Sequence, residues 1–232
     1  MILITGATGG IGREIAESLA KRGYNLALGY HSRVDEANSL AARLTDAYGV
    51  WAVPVGLDLA DSLDVEAKIK GIEATMGRVE VLINNAAVSL VKPVEETSAE
   101  EWQKVIATNL SGAFFACKAV LPSMREGGSI VNVSSMWGAL GASCEVAYSA
   151  AKAGLEGMSK ALAKEYPDLK INVVSLGWVD TPMNASFDEE DKREFFAKNP
   201  TMHELSAFEA AQLIVRVALG EGSGQTYKLG WE

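Results

Sequence analysis

The chain begins with Met1-Ile2-Leu3-Ile4-Thr5-Gly6-Ala7-Thr8-Gly9-Gly10-Ile11-Gly12, and this stretch predicts the fold. The apolar run is typical of a buried strand, and Ile11, Ile15 and Leu19 follow at the spacing of an amphipathic helix. A glycine-rich turn before a helix lets the backbone approach a phosphate, and the helix start supplies free N–H groups. The spacing Gly-x-x-x-Gly-x-Gly differs from the Gly-x-Gly-x-x-Gly dinucleotide fingerprint. A nucleotide site is favoured, and a tight turn without a ligand is the alternative.

The rest of the chain alternates apolar strands with amphipathic helices. We expect strands at 1–5, 25–30, 51–56, 79–84, 128–134, 170–175 and 225–229. We expect helices at 11–22, 34–48, 61–76, 100–125, 146–165 and 207–219. Most of these strands are continuous apolar runs, as in parallel strands that are covered on both faces. The pattern predicts an α/β fold, a doubly wound, Rossmann-like parallel sheet with helices on both faces, and one domain over residues 1–232.

Several glycine and polar residues fall at the carboxyl ends of the expected strands. They are Gly6, Asp58, Asn85, Ser135 and Gly177. In open α/β sheets the ligand binds at this edge, where the ends of parallel strands meet. These residues are therefore expected to form one site.

Tyr148 and Lys152 stand four residues apart on an expected helix, so their side chains share a face. A phenol ionises near pH ~10, and a neighbouring positive charge lowers that pKa. Lowering it to ~7 requires roughly 4 kcal/mol, so other groups such as a bound cationic cofactor must contribute. By itself the pair is weak evidence, because a half-exposed helix face carries it by chance.

Composition excludes several classes of function. The net charge of −9 disfavours nucleic acid as a partner, and no apolar run is long enough to span a bilayer. The two histidines and two cysteines, Cys117 and Cys144, do not have the spacing of metal ligands. Because the first strand starts at Met1, we expect no signal peptide. We therefore expect a cytoplasmic protein with reduced thiols.

Further motifs lie between the two ends of the chain. They are Asn84-Asn85-Ala86-Ala87, Asn109 in Ala107-Thr108-Asn109-Leu110, Ile130-Val131-Asn132-Val133-Ser134-Ser135 before Gly138, and Gly177-Trp178-Val179-Asp180-Thr181. With the glycine turn and the Tyr-Lys pair, they resemble the short-chain dehydrogenase/reductase family over nearly the whole chain. The sequence departs from that family at Ala87, usually glycine, at Leu176, usually proline, and in a shorter stretch after Leu219.

The resemblance implies hydride transfer between a nicotinamide and a carbonyl or secondary alcohol, with Asn109, Ser135, Tyr148 and Lys152 as catalytic residues. Tyr148 would donate a proton to the carbonyl oxygen, and Ser135 would hydrogen-bond that oxygen. Lys152 would lower the pKa of Tyr148 and hold the nicotinamide ribose, while Asn109 would hold a water that links Lys152 to solvent. Ser134 is the competing serine, although the thirteen-residue distance to Tyr148 favours Ser135. A solvent-facing position is the alternative for Asn109.

The resemblance also implies a set of cofactor contacts. They are Gly6, Thr8, Gly9, Gly10, Ile11, Gly12, His31, Ser32, Arg33, Asp58, Leu59, Asn85, Ala86, Tyr148, Lys152, Val179 and Thr181. Asp58 would accept a hydrogen bond from the adenine amino group, and a helix N-cap is its alternative role. Val179 and Thr181 would meet the nicotinamide carboxamide.

Cofactor preference depends on the end of the second strand, where NAD-specific relatives carry an acid. Here Tyr30 is followed by His31, Ser32 and Arg33, and an arginine and a hydroxyl can hold a 2′-phosphate. We therefore expect NADP, with NAD as the alternative and a solvated Arg33 as the competing interpretation. The acids Asp35 and Glu36 are assigned to the first turn of the next helix.

The substrate side is expected to include a lid over residues 182–206, with a solvated surface helix as the alternative. An apolar pocket is expected from Leu90, Met136, Trp137, Leu140, Trp178 and Met183.

Within the family the likeness is strongest to the beta-ketoacyl-acyl-carrier-protein reductases of fatty-acid synthesis. The substrate implied is a 3-oxoacyl thioester, with Arg125 and Lys170 available for docking an acidic acyl carrier protein. A sugar or a small ketone or alcohol is the alternative substrate. A cofactor-sensing protein without turnover is a further alternative, against which the complete catalytic set argues. The family usually forms tetramers, so a homo-oligomer, tetramer or dimer, is expected through the helices at 100–125 and 146–165.

Overall fold

The computed structural model describes residues 1–185 and 187–232 and contains a parallel sheet of seven strands. In chain order the strands of the protein are β1 Ile2–Thr5, β2 Leu26–Tyr30, β3 Ala52–Gly56, β4 Val81–Asn84, β5 Ser129–Ser135, β6 Lys170–Leu176, β7 Val179–Asp180, β8 Leu205–Ser206 and β9 Thr226–Leu229. The sheet has the spatial order β3-β2-β1-β4-β5-β6-β9, and β7 pairs with β8 in a small separate sheet. The order reverses between β1 and β4, and ligands bind at such a switch point.

Helices connect the strands and cover the sheet. They are α1 Gly10–Ala20, α2 Val34–Tyr48, α3 Ser62–Met76, α4 Ala99–Ile106, α5 Gly112–Val120, α6 Met136–Leu140, α7 Val146–Glu165, α8 Glu189–Lys198 and α9 Ala207–Ala218. A π-helical turn, Ala107–Ser111, joins α4 to α5. Several starts are fixed by side chains: Asp61 caps α3, and Ser206 with Glu209 forms a capping box on α9.

The two faces of the sheet have separate cores, as the alternation of side chains along a strand requires. In β1, Ile2 and Ile4 lie in the core that also holds residues of α1, α2 and α9, whereas Leu3 lies in the opposite core with residues of α3 and α5. Burial on both faces explains the continuous apolar runs. The predicted doubly wound parallel sheet with helices on both faces is confirmed.

The single helix expected at 100–125 is wrong in two respects. It is interrupted by the π-helical turn at Ala107–Ser111, and it ends at Val120. Pro122 explains the end, because proline has no N–H to donate to the carbonyl one turn earlier in the helix. The short helix α6 was not predicted, because its five residues are too few to show a period.

None of the helices in the two described ranges combines the length and the apolar character that crossing a bilayer would require.

Candidate active site

The glycine turn after β1 is packed too closely for side chains. Gly6 has a φ of +66°, and a Cβ there would lie 2.8 Å from the Cα of Ala86. A Cβ on Gly12 would lie 2.2 Å from the carbonyl oxygen of Gly6. Glycine at these two positions therefore lets the chain turn directly from β1 into α1 while touching the end of β4.

Asn85 ties the end of β4 to this turn. The N–H groups of Asn85 and Ala86 both donate to Thr5 Oγ1 at 3.1 Å. The side-chain amide of Asn85 donates to the carbonyl oxygens of Thr5 and Gly6, also at 3.1 Å. These four bonds fix the two sides of the switch point relative to each other, and Asn85 lines the adjoining cavity.

The two consecutive serines at the end of β5 have different surroundings. The Ser134 hydroxyl is 3.1 Å from the Lys152 carbonyl oxygen and 3.3 Å from Glu156 Oε1, so it faces α7. Both serines line the cavity, but Ser135 accepts a 3.3 Å hydrogen bond from the Trp137 N–H and is near enough to the Tyr148 phenol to lower the pKa of that group. The geometry therefore favours Ser135 over Ser134 as the partner of Tyr148.

Lys152 is buried and held by the sheet. Its ammonium donates to the Val133 carbonyl at 2.8 Å and lies 5.4 Å from the centre of the Tyr148 ring. Burial lowers the pKa of Lys152 to about 8, because the surroundings solvate the charged form poorly. The two side chains share a face of α7, as their spacing predicts.

The expectation that Lys152 lowers the Tyr148 pKa is not met in the protein by itself. Burial raises the pKa of Tyr148 above its ordinary value, the negative charge of Glu145 raises it further, and the hydrogen bond with Ser135 only partly opposes this. The reason is geometric, because the Lys152 ammonium is directed to the Val133 carbonyl. Lowering the pKa of Tyr148 therefore still requires a further positive charge, such as that of a bound cofactor.

Asn109 lies in the π-helical turn and is 1% exposed, which excludes the solvent-facing interpretation. Its side-chain oxygen accepts from the Val88 N–H, and its amide donates to the Val88 carbonyl, both at 2.8 Å. The side chain thus fixes the segment after β4, whose neighbour Ala87 lines the cavity. π-Helical turns are frequent at functional sites. The water held by Asn109 stays a prediction.

Ser135, Tyr148 and Lys152 line one cavity of about 820 Å³. Of the other predicted cofactor residues, Ile11, Asn85, Val179 and Thr181 also line it. The remaining predicted cofactor residues do not line the cavity. They follow the ends of strands or lie at the start of α1: Gly6, Thr8, Gly9, Gly10, Gly12, His31, Ser32, Arg33, Asp58, Leu59 and Ala86. Gly10, at the start of α1, packs against Thr181 of the cavity wall, because a Cβ at this position would lie 3.1 Å from Thr181 Cγ2.

Four of the six residues predicted for the substrate pocket line the cavity: Met136, Trp137, Trp178 and Met183. Among the described residues Leu90 and Leu140 lie outside its wall, and Leu140 is 52% exposed. Apolar character therefore did not distinguish pocket positions from surface positions.

The predicted lid segment covers the substrate side of the cavity. Phe187 and Phe195 each have ring centres 5.2 Å from that of Trp178, and Phe195 also meets Trp137 at 5.7 Å. Seven residues of this segment line the cavity without having been predicted as pocket residues: Asn184, Phe187, Asp191, Glu194, Phe195, Lys198 and Asn199. The available signal was an aromatic pair within an otherwise charged helix. Ser186, which falls in the predicted lid, lies outside the described residues.

Arg33 lies after β2 with Nη1 3.7 Å from Glu36 Oε2. Arg13, which was not predicted, also pairs with Glu36 and donates from Nε to the Thr8 carbonyl at 2.9 Å. Two guanidinium groups and one carboxylate thus meet beside the glycine turn. The available signal was a basic residue directly after Gly12.

Asp58 is not the N-cap of the following helix. That position is Asp61, which accepts from the N–H groups of Leu63 and Asp64 at 2.9 and 3.3 Å. Asp58 instead accepts from the Ala60 N–H at 3.0 Å and is exposed. The next residue, Leu59, is buried against Gly112, where a Cβ would lie 2.6 Å from the Leu59 Cβ.

Glu145 is a further polar residue of the cavity that was not predicted. It precedes α7 by one residue, is 8% exposed and lines the same cavity as Tyr148. Burial raises the pKa of its carboxyl to about 7. The available signal was an acid three residues before Tyr148.

The chain is similar to proteins of one known family. The family described as short chain dehydrogenase matches residues 1–192. The chain is 34% identical over 202 residues to the 3-oxoacyl-acyl-carrier-protein reductase FabG of Staphylococcus aureus, covering 85% of this chain and 82% of that protein. It is 33% identical over 225 residues to the enzyme of that name from Escherichia coli K12, covering 95% and 90%.

Two solved structures show the same architecture. A Brucella melitensis protein titled short-chain dehydrogenase/reductase SDR:Glucose/ribitol dehydrogenase has a TM-score of 0.90 and 30% identity, covering 98% of this chain and 94% of that one. A short chain dehydrogenase from Burkholderia cenocepacia in complex with NADP has a TM-score of 0.90 and 25% identity, covering 98% and 95%.

Proposed function

Because the chain belongs to the short-chain dehydrogenase family, we propose that it is an NADP(H)-preferring oxidoreductase that interconverts a carbonyl and a secondary alcohol. The observation that carries the proposal is that Ser135, Tyr148 and Lys152 line one cavity with Ile11 and Thr181, beside the glycine turn. A cofactor-sensing protein would not need these three side chains together.

The start of α1 fits a dinucleotide. Its N-cap is Gly9, which has no side chain to accept hydrogen bonds, and its first turn has no acidic residue. The starts of α3, α8 and α9 are instead capped by Asp61, Asp188 and Ser206. The N–H groups and positive dipole end of α1 therefore suit an anionic pyrophosphate.

The residues of the cavity can support the proposed chemistry. A bound nicotinamide would supply or accept the hydride. Tyr148 would donate its phenolic proton to the carbonyl oxygen during reduction, and Ser135 would hydrogen-bond that oxygen. The raised pKa of Tyr148 keeps this phenol protonated at neutral pH, which is the form that reduction requires. The Lys152 ammonium, which is anchored on the Val133 carbonyl, would hold the nicotinamide ribose.

NADP is proposed over NAD because Arg13 and Arg33 lie beside the glycine turn. Arginine suits a 2′-phosphate through its fixed fork of donors. A structural neighbour at 25% identity was solved with NADP, which is consistent with this preference.

Two substrate classes follow from different observations. The FabG relatives support a 3-oxoacyl thioester, delivered by an acyl carrier protein. However, Lys170 pairs with Glu221 at 2.9 Å and begins β6, while Arg125 precedes β5. Both residues therefore lie at the amino ends of the strands, opposite the cavity edge. A small polar carbonyl or sugar is the second candidate, and the buried carboxyl of Glu145 in the cavity favours it.

The test is to measure oxidation of NADPH and NADH by the purified chain with an acetoacetyl thioester and a panel of small carbonyls. An oxidoreductase oxidises a cofactor in the presence of at least one of these compounds. A protein that binds NADPH and oxidises it with none of them would contradict the proposal and favour a sensing role.

We also propose a homo-oligomer in a reducing compartment such as the cytoplasm. Phe114 of α5 and Val146 of α7 are 44% and 46% exposed, which provides apolar surface for contact between copies. The structure describes both cysteines, and both are free. Burial raises the pKa of the Cys117 thiol to about 12, which makes that thiol unreactive.

A further inference from the structure

Glu145 is placed as a substrate contact would be. It lies one helical turn before Tyr148, and both side chains line the cavity together with Ser135. At 8% exposed it is among the most deeply buried acidic side chains of the described chain. Its charge reaches the reacting group, because it raises the Tyr148 pKa.

Within the described residues, the Glu145 carboxyl has neither a hydrogen-bond donor nor an ion-pair partner. On its own helix, the Lys152 ammonium is bonded to the Val133 carbonyl. On the segment after β4, Lys92 donates its backbone N–H to Cys144 but directs its ammonium to Glu101 at 3.0 Å.

The charged groups of α8 that face the cavity do not neutralise Glu145 either. Lys198 pairs with Glu194 at 2.5 Å, and Asp191 is part of the capping box that starts α8. The cavity wall thus has three carboxyl groups, those of Glu145, Asp191 and Glu194. It has only two ammonium groups, those of Lys152 and Lys198.

A structural role does not account for this carboxyl. Glu145 is the residue before α7, but its side chain accepts no hydrogen bond from the N–H groups of that described helix. Among the described residues, the carboxyl oxygens of Glu145 are not buried atoms that lack a hydrogen-bond partner, so they are open to the cavity, where water or a ligand can donate to them. A substrate group in the cavity can therefore supply the hydrogen bond that no described protein group gives this carboxyl.

We propose that Glu145 binds a hydroxyl group of the substrate, so that the substrates are hydroxylated carbonyls and the corresponding polyols rather than plain ketones or acyl thioesters. A hydroxyl supplies the donor that the carboxyl lacks. A thioester or an alkyl chain beside the reacting carbon has no such donor, and the excess of carboxyl groups disfavours anionic substituents. This inference rests on the proposed reductase function and names its substrate class.

The test compares matched ketones with the full-length chain and its preferred cofactor. Each pair consists of a hydroxyketone and its methyl ether, which keeps the oxygen but removes the donor. Hydroxyacetone with methoxyacetone is one pair, a second pair places the hydroxyl further from the carbonyl, and an acetoacetyl thioester is included. kcat/KM is measured for the wild type, Glu145→Leu, Glu145→Gln and Glu165→Gln, an exposed control at the far end of α7.

The wild type and Glu165→Gln should prefer the free hydroxyl by roughly 10- to 100-fold, as expected for a hydrogen bond to a charged group. In Glu145→Leu this ratio of the two kcat/KM values should approach one. Because the pKa of Glu145 is about 7, the wild-type preference should rise from about pH 6 to pH 8 as the carboxylate forms. In Glu145→Gln the preference should not change with pH.

A hydroxyl preference that survives in Glu145→Leu would overturn this inference and leave the reductase proposal intact. A wild type that favours the ether or the thioester would have the same consequence. If the chain binds its cofactor but reduces no carbonyl, the reductase proposal fails and this inference fails with it. Cofactor binding, followed by fluorescence, verifies that each variant is folded. If Glu145→Leu does not fold, the pH response of Glu145→Gln decides, and a response like that of the wild type would overturn the inference.

Discussion

Tyr148 carries the proposed proton transfer, and its environment in the protein favours the protonated phenol. Tyr148→Phe removes the hydroxyl and leaves the ring, so turnover should fall by roughly 10²- to 10⁴-fold, the range for losing a general acid. Cofactor binding should persist, which can be measured by fluorescence titration. Tyr24→Phe, at a tyrosine 37% exposed on the surface, is the control. Near-normal turnover in Tyr148→Phe would exclude this mechanism.

Arg33 is expected to determine cofactor preference together with Arg13, since both guanidinium groups meet at Glu36. In Arg33→Ala, kcat/KM with NADPH should fall roughly 10-fold or more, while the value with NADH should change little, because only NADPH has the 2′-phosphate. The exposed Arg78→Ala serves as the control. Equal use of both cofactors by the wild type, or an unchanged preference in Arg33→Ala, would show that this site does not bind the phosphate.

The buried carboxyl of Glu145 also predicts a pH dependence of stability. Its pKa is raised from an ordinary value of 4.5 to about 7 in the folded protein. A raised pKa means that stability is fully present below the unfolded-state pKa and is lost as pH rises towards 7. Urea unfolding at about pH 5 and pH 7.5 should therefore show a loss in the wild type that is smaller in Glu145→Gln. An identical loss in both proteins would mean that Glu145 is not the titrating group.

At the scale of elements, α8 packs on the cavity wall chiefly through aromatic side chains, and Phe195 contacts both Trp137 and Trp178. If this segment is a lid, cofactor together with substrate should slow proteolytic cleavage within residues 184–200. Phe195→Ala should weaken the attachment, so that cleavage is faster and KM is raised. Cleavage that is unchanged by both ligands would favour a static surface helix.

The strands were predictable because burial on both faces imposes an apolar run of fixed length, as in Ile2–Thr5. The carboxyl-end edge, and with it Ser135, followed from the same alternation of strands and helices, whereas Tyr148 followed from its spacing to Lys152 and from the family resemblance. What could not be predicted depends on contacts between distant residues. The bonds from Asn109 to Val88 and the position of Phe195 against Trp178 have no local signature. Similarly, only the folded structure shows that Glu145 is buried in the cavity wall.

At the scale of the whole molecule, β1 lies in the middle of the sheet between β2 and β4, and all four of its residues are buried. We propose that the chain is one cooperative unit built around this strand. Removing residues 1–5 should leave protein that is insoluble or unfolded, as judged by circular dichroism and cofactor binding. Removal of the exposed Glu232 is the control. A soluble truncated protein that binds cofactor would contradict the central position of β1.

The glycine N-cap of α1 leaves the first N–H groups of that helix without a side-chain acceptor. On the proposed function, the pyrophosphate acts as the missing helix cap, and the free energy of unfolding grows with the logarithm of free cofactor concentration. The first-turn amides of α1 would then exchange with deuterated water more slowly when cofactor is abundant. The lifetime of the protein in a cell would consequently follow the supply of the dinucleotide, so that a depleted pool reduces the amount of enzyme as well as its turnover.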